Sequence, residues 1–144
     1  ALFFGTMISY AQGLALLFVA SKEYDMDIPL PKVVKIWRGG CIIRSTLLEI
    51  FYQAYAANPE LSNILLDSHI ATMLKSKTAN TRKFIATAVQ SGIPASALAV
   101  SLGYFDAYRS AVMPTNLIQA QRDFFGAHTY QRIDEEGIFH SNWQ

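Results

Sequence analysis

Charge and cysteine are what this sequence has least of. Charged residues make up 16% of its 144 residues and hydrophobic ones 51%, whereas soluble domains carry about 25% charge. So little charge leaves two explanations: the chain sits in a membrane, or a partner subunit or further polypeptide covers much of its surface. A net charge of +1 provides no field to steer nucleic acid or an acidic membrane surface towards it, which argues against both as partners. The single cysteine, Cys41, excludes an internal disulfide framework and a Cys-rich metal site. It reads as a buried thiol in a protein of the reducing cytoplasm. Neither G-x-G-x-x-G nor G-x-x-x-x-G-K-[ST] occurs, so the glycine loops that cradle dinucleotides and nucleotide phosphates are missing. The two-residue alternation of a half-buried strand is absent as well, and no turn has hairpin chemistry. No internal repeat, low-complexity segment or linker divides the chain.

What is present is apolar helix. A chain of this length buries roughly two-thirds of its unfolded surface and can support a core without disulfides or metal. Residues 1–21 carry no charge, long enough for one bilayer crossing at about 20 residues. Thr6, Ser9, Tyr10, Gln12 and Gly13 interrupt the run, however, and it lacks signal-peptide anatomy, so a buried core helix is expected. Hydrophobic periodicity begins at Ala1 with neither an initiator Met nor a capping residue before it, an abrupt start expected of a piece cut from a larger protein.

Leu2, Phe3, Met7, Tyr10, Ala11, Leu14, Leu17 and Phe18 recur at helical spacing and predict one long helix from Leu2 to about Tyr24. Pro31 suits the first turn of a short helix through Trp37. After Arg38-Gly39-Gly40, a helix is expected from about Cys41 to Ala57, with Ile43, Leu47, Leu48, Phe51 and Tyr55 inward, closed by Asn58-Pro59. Glu60 to Leu74 reads as one or two short helices. Thr78 to Gln90 reads as another, with Phe84, Ile85, Ala88 and Val89 apolar, ending at Ser91-Gly92. Pro94 opens a helix through Arg109, with Leu98, Leu102, Phe105 and Tyr108 as its stripe, and Pro114-Thr115-Asn116 opens the last, through about Phe125. The expected fold is all-α, a compact bundle of six to eight helices over residues 1–130, followed by an extended tail, residues 131–144. Ile138, Phe139 and Trp143 on that tail need a groove, from this chain or another.

Few residues point to chemistry. Arg38-Gly39-Gly40 with Arg44 could cradle an anion at a helix start, but a tight helix-to-helix turn in which Gly supplies the strained dihedrals is the favoured reading. Asp134, Glu135 and Glu136 read as solvated surface. His69 beside Asp67 suits a surface or cap role, and His140 stands isolated. The run Gln119-Ala120-Gln121-Arg122-Asp123-Phe124-Phe125-Gly126-Ala127-His128-Thr129-Tyr130 differs. Six residues on an unbroken helix would set Arg122 and His128 about 120° apart, but a break at Gly126 lets both turn to one ligand. The planar fork of Arg fits a phosphate, and His adds a donor or an adjustable charge. The alternative is a structural Arg122 that pairs with Asp123 or a helix carboxyl end.

That run, together with Ile36-Trp37-Arg38-Gly39-Gly40-Cys41-Ile42-Ile43-Arg44-Ser45, Ile8-Ser9-Tyr10-Ala11-Gln12-Gly13 and Phe139-His140-Ser141-Asn142-Trp143, closely resembles the decarboxylating 6-phosphogluconate dehydrogenases, over essentially the whole chain. The resemblance implies subunits made of an amino-terminal Rossmann domain that binds NADP and a large helical domain that supports a homodimer, of which this chain matches only the last portion. It also implies that the tail reaches the other subunit, where Arg122 and His128 help hold 6-phosphogluconate, Arg122 at its phosphate. Phe124 stands where many relatives have Tyr. The family's glycine fingerprint and catalytic Lys and Glu lie upstream of Ala1, so no catalytic or coenzyme-binding residue carries over. Some relatives continue past Trp143 with a Gly/Ser-rich tail near the coenzyme, a contact that nothing here supports.

Overall fold

A computed structural model describes residues 1–143; Gln144, the last residue of the expected tail, lies outside the described residues. Six α-helices follow one another: α1 Leu2–Glu23, α2 Leu30–Trp37, α3 Leu47–Ala57, α4 Ser68–Gln90, α5 Ser96–Tyr108 and α6 Asn116–Gly126, with a 3-10 turn at Ile64–Leu66. Among the described residues the only β pairing is an isolated antiparallel bridge between Tyr130 and Phe139. The class is all-α, as composition and periodicity require. The chain forms two compact units, Ala1–Phe105 and the segment from Asp106 onward.

The first unit is organised by one apolar cluster. Phe4, Met7, Ile8, Ala11 and Leu14 of α1 meet Leu30 and Val34 of α2, Leu47, Leu48, Phe51 and Tyr55 of α3, and Ile70 and Leu74 of α4. Met7, Ala11 and Leu14 of the expected stripe are buried and Tyr10, Leu17 and Phe18 pack against them, but the first turn is shifted. Leu2 and Phe3 are exposed and Phe4 and Ile8 are buried, because a helix apolar on nearly every side has no polar face to set its phase. By length and composition α1 could cross a membrane, yet this stripe packs in the core. The helix ends where Asp25 and Asp27 adopt left-handed backbone, with φ of 49° and 47°. Ser21 Oγ accepts the Ile28 N–H at 2.7 Å across that turn.

Two expected boundaries move. The third helix starts at Leu47, not at Cys41. Residues 39–46 turn instead: Gly40 takes φ +93°, Arg44 N–H bonds Cys41 O, and Ser45 Oγ accepts the Leu47 N–H, a side-chain turn that competes with helix. Ile43, expected inward, is exposed there, although its carbonyl receives the Tyr10 hydroxyl. Of the segment expected at Glu60–Leu74, the first part holds the 3-10 turn, and the rest, from Ser68, runs on through Thr78–Gln90 as one 23-residue helix, α4. Its start is fixed by Asp67, whose Oδ1 accepts the Ile70 N–H at 2.9 Å, a side-chain cap. Nothing between Leu74 and Thr78 breaks it, since Thr78 and Thr81 turn their hydroxyls onto carbonyls four residues back. Along its second half Ala88 is buried as expected, but Phe84 and Val89 are exposed and the buried partner of Ala88 is Thr81. Its end is the expected one: Gly92 takes φ +66° and the Ile93 N–H reaches Ala88 O at 2.8 Å, so glycine supplies the left-handed cap.

Candidate functional site

The second unit carries both candidate ligand residues. Thr115 precedes α6, whose carboxyl end is closed by Ala127 in left-handed backbone (φ 49°, ψ 40°), its N–H on Asp123 O. Arg122 is exposed on α6, its Nη1 donating to Gln119 Oε1 at 3.2 Å. His128 follows the helix end, also exposed. Its ring sits over Gly126, where a Cβ would come within 3.0 Å of the ring's Cδ2 and Nε2. The chain does break where glycine stands, as the spacing suggested. Among the described residues Arg122 and His128 are not hydrogen-bonded to each other and neither pairs with a carboxylate, which leaves them donors for a ligand. His128 also faces an open groove of about 1020 Å³, bordered by Ile118, Tyr130, Ile138 and Trp143.

Asp123 does not pair with Arg122. It is fully buried, and each of its oxygens receives two hydrogen bonds. Oδ1 accepts the Thr129 N–H at 2.9 Å and lies 2.9 Å from His140 Nδ1. Oδ2 accepts the Ser141 N–H at 3.0 Å and the Trp143 indole N–H at 2.9 Å. Burial pushes the Asp123 pKa up, but the bonds from Ser141, His140, Trp143 and Thr129 outweigh it and hold the carboxyl well below the usual carboxylate range. His140, isolated in sequence, is thus one of four groups that converge on a buried charge. A helix-borne Asp whose donors lie six to twenty residues downstream leaves no spacing signature; the only hint was an acidic residue between Arg122 and an aromatic pair.

The tail folds back on this end of α6. Tyr130 and Phe139 exchange backbone bonds of 2.9 Å and stack their rings at 6.1 Å, and Tyr130 Oη bonds Ser141 Oγ at 2.8 Å. Trp143 sets the edge of its ring system against Phe124 at 5.8 Å and 89°. Part of the needed groove is therefore the chain's own, yet Ile133 and Ile138 remain 99% and 74% exposed. Asp134 and Glu135 pair with Arg132, in line with a surface role.

The other candidates, in the first unit, have structural tasks. Arg38 is ion-paired with Glu49 and Gly40 serves the turn, while His69 is exposed just after the Asp67 cap. Among the described residues no group of three or more His, Cys, Asp or Glu is placed to hold a metal ion.

Comparison with known proteins agrees with the motif. The family model described as 6-phosphogluconate dehydrogenase, C-terminal domain, matches residues 1–143. The chain is 49% identical over 143 residues to the NADP(+)-dependent, decarboxylating 6-phosphogluconate dehydrogenase of Bacillus subtilis, covering 99% of this chain and 30% of that protein. It is 48% identical to the decarboxylating enzyme of Escherichia coli, covering 99% and 31%. Among solved structures, Plasmodium falciparum 6-phosphogluconate dehydrogenase, studied in its apo form and in complex with NADP+ and with 6-phosphogluconate, superposes with a TM-score of 0.93 at 42% identity, over 99% of this chain and 30% of that one. The chain spans about 30% of the length of these relatives. With that family model matched from residue 1 to residue 143, the chain belongs to the 6-phosphogluconate dehydrogenase family and matches its C-terminal domain.

Proposed function

We propose that the protein containing this domain oxidises and decarboxylates 6-phosphogluconate in the cytoplasm, reducing NADP and releasing ribulose 5-phosphate and carbon dioxide. The domain's part is to bind and position. Arg122 grips the substrate phosphate through its planar fork, and His128 adds a second contact. Both serve the active site of the other subunit of a homodimer, and residues 131–144 dock against that subunit. The observation that carries this reading is an Arg and a His, both exposed, at the carboxyl end of α6 in a chain whose relatives are 6-phosphogluconate dehydrogenases. The exposed Ile133 and Ile138 are surface for the partner to cover. These 144 residues contain no glycine fingerprint, so they do not fit NADP, whose binding belongs to the part of the protein upstream.

In the full-length enzyme, Arg122→Ala removes a bidentate phosphate contact. At about 1.5–3 kcal/mol, the substrate KM should rise roughly ten- to more than a hundredfold while the KM for NADP holds. An unchanged substrate KM would sink the assignment. Made alone, the 144-residue chain is a helical interaction module, since it spans only about 30% of its relatives. It should show neither turnover nor NADP binding, and it should self-associate through its tail.

A further inference from the structure

His128 stands between two non-glycine residues in left-handed backbone, Ala127 at φ 49° and Thr129 at φ 60°. Such backbone is unfavourable for a residue with a side chain and persists only where its surroundings over-determine it. Here the restraints run to Asp123. Its backbone carbonyl accepts the Ala127 N–H at 2.8 Å and its Oδ1 accepts the Thr129 N–H at 2.9 Å. Gln119, the residue that also receives Arg122, donates to Thr129 O at 2.5 Å. The other half of the same carboxylate anchors the tail through Ser141 and Trp143, with His140 on the first oxygen.

Taking Arg122 and His128 as the substrate grip proposed above, we infer that Asp123 is a positioning residue for that grip. Its carboxylate locks the left-handed step that aims His128, and through the same two oxygens it ties that step to the returning tail. The charge state is part of the fit. Three fixed N–H donors, from Thr129, Ser141 and Trp143, meet the two oxygens beside His140 Nδ1; whichever way it turned, the amide of Asn would set an NH₂ against at least one of those N–H groups. The buried group itself never meets the ligand, so its effect reaches the substrate through His128, whose backbone step it holds.

The test uses the full-length enzyme and five variants. Asp123→Asn should raise the KM for 6-phosphogluconate by about tenfold or more, with kcat and the KM for NADP within about threefold of wild type. Combined with His128→Ala, it should add less than about twofold to the KM of His128→Ala alone, because both changes remove the same contact. A KM for Asp123→Asn within twofold of wild type, or effects that multiply fully in the double variant, would overturn the inference. Should Asp123→Asn fail to fold, Trp143→Phe keeps the ring against Phe124 and removes one donor, and a wild-type substrate KM there would overturn it equally. Arg122→Ala separates the two claims. If it leaves the KM unchanged, the substrate grip itself is wrong; if it raises the KM while Asp123→Asn does not, only the positioning role falls.

Discussion

Leu48 and Ile42 lie six residues apart, are equally apolar, and have opposite fates: Leu48 is 0% exposed and Ile42 100%. Leu48→Ala deletes three carbons from the face of α3 that packs against α2 and the 3-10 turn. At about 0.8 kcal/mol per buried methylene the transfer part alone is about 2.4 kcal/mol. The cavity left behind raises the expected loss into the range of about 2–5 kcal/mol. Domains are stable by only about 5–15 kcal/mol, and with a urea slope of about 2 kcal/mol/M the midpoint should fall by roughly 1–2.5 M. Ile42→Ala removes the same three carbons from a side chain already in solvent and should stay within about 0.5 kcal/mol. Urea titration of the 144-residue chain, followed by far-UV circular dichroism at 222 nm, measures both. Equal losses, or a Leu48→Ala loss below about 1 kcal/mol, would refute the claim that the inward face of α3 organises the core and that residues 39–46 lie outside it.

Two further outcomes follow from buried polar groups. The Tyr55 hydroxyl is buried with no hydrogen-bond partner among the described residues, and burial pushes its pKa up. Tyr55→Phe should therefore stabilise the chain by about 1 kcal/mol in the same titration, and a loss of that size would mean that the hydroxyl is paired. The Asp123 carboxyl is held below its ordinary value. The stability it contributes is thus fully present above the unfolded value of about 3.9 and fades as pH falls from there towards the depressed native value. With Trp37→Phe leaving Trp143 as reporter, the emission should stay native from pH 7 to about pH 4 and change only below it; a transition centred above pH 5 would refute the control assigned to Asp123.

Much of this domain can be read without coordinates where the signal is local. The class and most helix ends rest on spacing of three and four residues, on Pro31 and Gly92, and on the absence of any alternating segment. Arg122 and His128 were visible because their residue types suit a phosphate and Gly126 separates them. Asp67 was flagged only as a neighbour of His69, yet it caps α4, a local bond that the chain pattern already permits.

What the linear sequence determined by itself was helix against strand and the family through its long motif words, since each depends on neighbours a few positions away; it also offered Arg122 and His128 as candidates for an anion. The tertiary structure decided the phase of α1, the late start of α3, and the convergence of Thr129, His140, Ser141 and Trp143 on Asp123. An apolar helix has no polar stripe to orient it until its partners pack. A buried carboxylate has no fixed partners until the chain returns from up to twenty residues away, and no periodicity along the chain records that return.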